Sequence, residues 1–204
     1  MFATSEGSHD WYHIDRVRRM ACYLSELEGA DRFVVEMAAL LHDLDDRKYR
    51  KQNEPGNRAK TLLEVLGLNE ATAHTILTAI DEVSFKGAGV ETPASSRESA
   101  VVQDADRLDA IGAIGIARAF AYGGSRGRSL YDPAEAHTLH DHPEAYFSNQ
   151  SSTVAHFYEK LLLLKDRLHT AAARKIAEER HEVMLRFLEQ FYTEWNMGSP
   201  PQQQ

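Results

Sequence analysis

Apolar residues recur at helical spacing along almost the whole chain, and strand-type alternation is nearly absent. Ile14, Val17, Met20, Ala21 and Leu24 fall on one face of a helix predicted from Trp11 to Leu27 and ended by Gly29. Asp31 is placed to cap a second helix running through Leu41 and His42. A polar stretch from Asp45 to Gly56 separates it from a third helix, Ala59 to Leu66, closed by Gly67. Asn69 can cap a fourth, up to about Val83, and Ser95 or Ser96 a long fifth reaching Arg107 and Leu108. Ile111 to Phe120 is an apolar helix in which Gly112 and Gly115 each cost about 1 kcal/mol relative to Ala, so close helix–helix contact is expected there. Residues 123–153 are the least regular part and read as a long insertion or lid. Two more helices are predicted, Val154 to Leu168 and Ala171 to Trp195, before a tail, 198–204, expected to be disordered. The pattern predicts one all-α domain over 1–197.

Composition narrows the function. The 204 residues carry 31 acidic and 23 basic side chains, a net charge of −8. That argues against stable binding to a nucleic-acid backbone, which needs a positive surface. No apolar run approaches the roughly 20 residues that span a bilayer. Met1–Gly7 has neither a basic flank nor an apolar stretch and is not read as a secretion signal. The single Cys22 allows no internal disulfide and suits a reducing compartment. A cytoplasmic location is expected.

Chemistry concentrates in Val34-Val35-Glu36-Met37-Ala38-Ala39-Leu40-Leu41-His42-Asp43-Leu44-Asp45-Asp46, an apolar helix running into metal-binding side chains. An imidazole and a carboxylate at such a helix end can hold a cation at the edge of a core. His13, and Asp104 or Asp106, offer further ligands from other helices. Two imidazoles and two carboxylates make a mixed nitrogen–oxygen set, suited to Mn(II), Fe(II), Co(II), Ni(II) or Zn(II) rather than Ca(II). An EF-hand register starting at Asp43 fails, because Arg47 and Lys48 stand at its fifth and sixth positions. Neither a phosphate-binding P-loop, nor a dinucleotide turn, nor a G-x-S-x-G elbow occurs.

His13 followed by Arg16-Val17, the His42-Asp43 pair, and Asp106 followed by Arg107-Leu108 resemble the H…HD…D signature of HD-domain metal-dependent phosphohydrolases. Ser84-Phe85-Lys86, Val102 to Leu108, Ile111 to Arg118 and His156 to Leu161 resemble more narrowly the small bacterial subgroup that cleaves nucleoside triphosphates to monophosphate and pyrophosphate. The resemblance covers about Ser8 to Phe191. It implies an HD-domain helical bundle and one divalent ion, Mn(II) foremost with Fe, Co, Ni, Zn or Mg as alternatives. It also implies His13, His42, Asp43 and Asp106 as ligands, and a small nucleotide as substrate. Asp104 and Asp106 differ by about 200° of helical rotation and cannot both face one ion. The family pattern selects Asp106, the Asp that precedes Arg-Leu.

Related nucleotidases place a carboxylate where Asp46 stands, one turn beyond Asp43, to orient the attacking water; here it is the shorter Asp. A metal lowers the pKa of its water from about 15.7 toward neutrality, and a carboxylate then accepts the proton. Cations for the phosphate oxygens are sought at Arg16, Lys86, Arg107, Arg118 and Lys160. His9-Asp10 and the cluster His137, His140, Asp141 and His142 are more economically incidental. A phosphomonoesterase acting on nucleoside monophosphates, and a metal-stabilised regulatory module without turnover, are the competing readings. The Gly112/Gly115 face suits internal packing or a homodimer equally.

Overall fold

The computed structural model describes residues 10–45, 57–83, 90–135 and 151–197. These form helices throughout, with no strand among the described residues: α1 Trp11–Glu28, α2 Arg32–Leu41, α3 Arg58–Val65, α4 Glu70–Glu82, α5 Arg97–Asp109, α6 Gly112–Ser125, α7 Thr153–Glu159, and α8 Ala171–Trp195. The fold is all-α, as the apolar spacing predicts.

Local rules set most helix ends. The side chains of Asp31, Asn69 and Ser96 accept the backbone N–H groups of Val34, Thr72 and Ser99, each satisfying a donor the first helical turn leaves orphaned. Gly29 closes α1 in the left-handed region, at φ 67°. Asp45 leaves the metal-binding stretch to cap α3, accepting from Arg58 N at 3.1 Å and Ala59 N at 2.9 Å.

α5 is the axis of the molecule. It packs against α1, α2, α4, α6 and α8, and Val101, Val102, Ala105 and Leu108 are fully buried along it. Only a helix enclosed on most sides carries Gln103, Asp104, Arg107 and Asp109 inside the protein as well. Each of these needs a partner at close range, because burying an unpaired polar group is expensive.

Three expectations are corrected. Residues 153–168 are not one helix: α7 stops at Lys160, whose φ −142° and ψ −60° break the ladder, and a 3-10 turn follows over Leu161–Arg167. At three residues per turn Leu161 and Leu164 align, and both are buried in the core. α6 extends to Ser125, three residues into the stretch read as irregular, and residues 129–130 are pinned to α7 by Thr153 N to Ser129 O and Val154 N to Leu130 O, both 3.0 Å. The glycines of α6 have different reasons. A Cβ on Gly115 would lie 2.2 Å from the carbonyl oxygen of Ala110, in the chain's own preceding turn. Gly112, at φ +75°, does make the expected close helix contact, since a Cβ there would meet Arg180 of α8 at 3.0 Å. A second tight approach between helices lies at Gly123, where a Cβ would meet Thr153 Oγ1 at 2.1 Å.

Candidate metal centre

Three helices deliver one group of side chains. α1 contributes His13 from its first turn, the end of α2 contributes His42 and Asp43, and α5 contributes Asp106. His13 Nε2 lies 3.6 Å from Asp43 Oδ2 and 3.6 Å from Asp106 Oδ1. His42 Nε2 lies 3.4 Å from Asp43 Oδ1 and 3.8 Å from Asp106 Oδ1. The two imidazoles meet edge to face with centroids 5.3 Å apart. Donors about 2.1 Å from one ion stand roughly 3.0–3.4 Å from each other at octahedral to tetrahedral angles. The observed set is slightly wider, and the donor atoms of His13, His42 and Asp106 all lie within 4.8 Å of one another. Nitrogen and oxygen donors in this proportion fit a divalent transition ion.

The other ring edges are held as a ligand requires. Asp109 Oδ2 lies 2.8 Å from His13 Nδ1, and the carbonyl oxygen of Ala39 lies 2.8 Å from His42 Nδ1. Each acceptor takes the Nδ1 proton, so each Nε2 is left with its lone pair turned toward the carboxylates. Burial draws the His13 pKa below its usual value, against the Asp109 hydrogen bond, which favours the charged form. For Asp106 burial acts upward, and the charges of His42 and His13 overcome it to hold the carboxyl below its usual range.

Asp109 is the residue that sequence reasoning missed. It lies three residues beyond Asp106, nearly one turn along the same face of α5, and that spacing was the available signal. It accepts from His13, from Arg16 Nε at 2.7 Å and Nη2 at 3.0 Å, and from Arg118 Nη1 at 2.7 Å. Two of the predicted phosphate-binding cations thus spend hydrogen bonds on a carboxylate behind His13. Burial pushes the Asp109 carboxyl upward, but the His13 and Arg16 hydrogen bonds and the Arg118 charge outweigh it and hold the group well below the carboxylate range.

The remaining candidates separate clearly. Asp104 holds the segment that leads into α8: it accepts from His169 N at 2.9 Å, Thr170 N at 2.7 Å and the hydroxyl of the N-cap residue Thr170 at 2.8 Å, and it is fully buried. Arg107, predicted to meet substrate, is turned from the metal group. It donates to the carbonyl of Arg167 and to Thr92 Oγ1, and is buried. One residue past Asp106 means about 100° around the helix, which is why it faces elsewhere. Lys160 is drawn below its usual pKa by burial, while the charge of Asp106 works in the opposite sense. Its charge and that of Arg118, another of the predicted cations, both act on the Asp106 carboxylate. Asp10 caps α1, accepting from His13 N at 2.9 Å. Asp46, Lys86, His9, His137, His140, Asp141 and His142 lie outside the described residues.

The model of the HD domain matches residues 10–111, which contain all four clustered side chains, His13, His42, Asp43 and Asp106. The chain belongs to the HD-domain family. Within it, the chain is 42% identical over 195 residues to YpgQ of Bacillus subtilis, covering 92% of this chain and 85% of that one. The crystal structure of YpgQ in complex with ADP matches with a TM-score of 0.76 at 39% identity, covering 95% of this chain and 93% of that chain. A protein from Lactobacillus plantarum matches at TM-score 0.86 and 38% identity, over 96% and 91% of the two chains. An HD-superfamily hydrolase from Bacillus thuringiensis matches at TM-score 0.71 and 46% identity, over 92% and 87%. Among the described residues no helix is long and apolar enough to cross a membrane.

Proposed function

We propose that this protein is a cytoplasmic, metal-dependent phosphohydrolase of a single helical domain that cleaves nucleoside triphosphates to monophosphate and pyrophosphate. The observation that carries the reading is the convergence of His13, His42, Asp43 and Asp106 at 3.4–3.8 Å, with each imidazole oriented from behind. These four residues would hold one divalent ion, Mn(II) foremost. Such an ion supplies Lewis acidity, withdrawing charge from phosphoryl oxygens and making water a stronger acid. Two carboxylates balance its charge, so an anionic substrate approaches a roughly neutral centre. Asp46 is assigned as proton acceptor for the attacking water, and Lys160 as the cation that favours charge developing on phosphorus oxygens. The bound ADP of YpgQ supports a nucleotide as substrate.

The test is a panel of ribo- and deoxyribonucleoside tri- and monophosphates assayed with added Mn(II), with the inorganic product identified. Pyrophosphate with monophosphate is expected. Orthophosphate released from monophosphates alone would establish the phosphomonoesterase instead. Absence of turnover with metal bound would leave the regulatory module.

A further inference from the structure

A line of side chains leads along α6 away from the metal centre. Arg118, Tyr122 and Arg126, the last at the helix C-cap, stand four residues apart, so they share one face with about 6 Å of rise between successive members. Arg118 is the inner end: it donates to Asp109 Oδ2 at 2.7 Å, behind His13, and its charge acts on Asp106. Tyr122 is half-buried, and Lys160 lies within electrostatic reach of both its phenol and the Asp106 carboxylate. The close approach of Gly123 to Thr153 sets α7 against this part of α6, and Lys160 stands two turns beyond Thr153.

A tight turn builds the outer end. Arg126 N–H donates to the carbonyls of Tyr122 and Gly123, Arg128 N–H returns to the Gly123 carbonyl at 2.9 Å, and Gly127 between them takes φ 67°. The bonds from Thr153 N and Val154 N to the Ser129 and Leu130 carbonyls hold the far side of the turn. Two guanidinium groups are thereby set on one ring: Cζ of Arg126 lies 5.4 Å and Cζ of Arg128 5.6 Å from the Tyr122 centroid. A ring face attracts each cation, but the two like charges repel one another. Arg126 is exposed, and no carboxylate pairs with it among the described residues. An anion laid against the pair offsets the repulsion and can take hydrogen bonds from both planar forks.

We propose, on the reading of the metal centre as a nucleotide site, that Arg126 and Arg128, carried on Tyr122, bind the phosphoryl groups beyond the one held at the metal and so select a nucleoside triphosphate over a monophosphate. The groups they hold are the β- and γ-phosphates, those that leave as pyrophosphate in the proposed reaction. Tyr122 is the positioning residue, since its ring fixes where both cations stand.

The test is equilibrium binding at fixed free Mn(II), with AMP and with an ATP analogue whose α,β-bridging oxygen is a methylene. The parent should bind the analogue more tightly than AMP. Arg126→Ala and Arg128→Ala should each weaken the analogue about tenfold and leave AMP within about twofold. Arg126→Glu, which reverses an exposed charge, should weaken the analogue further, and it serves if Arg128→Ala does not fold. Affinity is read whether or not either nucleotide is turned over, so failure of this site and failure of the hydrolytic reading are separate results. AMP bound as tightly as the analogue by the parent, analogue affinity indifferent to the Arg126 variants, or analogue and AMP weakened by the same factor overturns the proposal; the last outcome would place the contact on the base, the ribose or the first phosphate.

Discussion

His13 and Asp109 meet at 2.8 Å, Nδ1 to Oδ2, across 96 residues of sequence. The carboxylate also collects Arg16 and Arg118, so one buried side chain fixes both the orientation of His13 and the relation of α1 to α5 and α6. Partners of this kind set ligand basicity and ring tautomer, and their loss typically costs about 10–100-fold in metal affinity.

Asp109→Asn keeps the shape and removes the charge. We expect Mn(II) affinity to fall by about 10–100-fold, read by competition with a chromophoric chelator. Unchanged affinity would mean that Ala39 and the helix frame orient the imidazoles without help.

The same carboxyl makes an acid-stability prediction. Its folded pKa lies below the usual value of 3.8, so the unfolded chain binds the proton more readily. The stability it contributes is therefore present above about pH 4 and lost as pH falls further. Denaturant melts of parent and Asp109→Asn should differ most near neutrality, with the gap narrowing progressively as pH falls below about 4; an equal gap at pH 7 and pH 3 refutes the assignment.

Asp104→Ala separates the structural acid from the ligand acid. It leaves His169 N, Thr170 N and the Thr170 hydroxyl at the start of α8 without their acceptor, costing about 2–4 kcal/mol by chemical denaturation. Metal stoichiometry should stay at the parent value, whereas Asp106→Ala should lower metal affinity at a smaller cost in stability.

Two glycines of one helix should respond with opposite sign. In Gly115→Ala the new methyl would be driven against the Ala110 carbonyl, destabilising by about 1–3 kcal/mol. Gly124 has open space around its Cβ position, so Gly124→Ala should stabilise by up to about 1 kcal/mol through helix propensity. Thermal melts of the two single variants decide it.

Much of this was legible locally. Asp31, Asn69 and Ser96 announce helix starts because a capping bond reaches only three residues along the chain. His42-Asp43 at the end of an apolar helix is likewise local, and His13 and Asp106 joined it through the HD resemblance. The break at Lys160 was not legible, since four consecutive leucines fit an α-helix and a 3-10 turn equally well until the core selects which two are buried.

By itself, the sequence determined the helical class, most helix ends and the stock of metal-binding side chains, because these follow from spacing and capping within a few residues. Only tertiary structure decided the separate tasks of Asp104, Asp106 and Asp109. On one helix Asp104 points away from the face that Asp106 and Asp109 share, and what each meets — the start of α8, the His42 and His13 imidazoles, or the Arg16–Arg118 pair — comes from elements brought alongside α5 by the packing of the core. The same packing turned Arg107 away from the metal and toward Arg167 and Thr92.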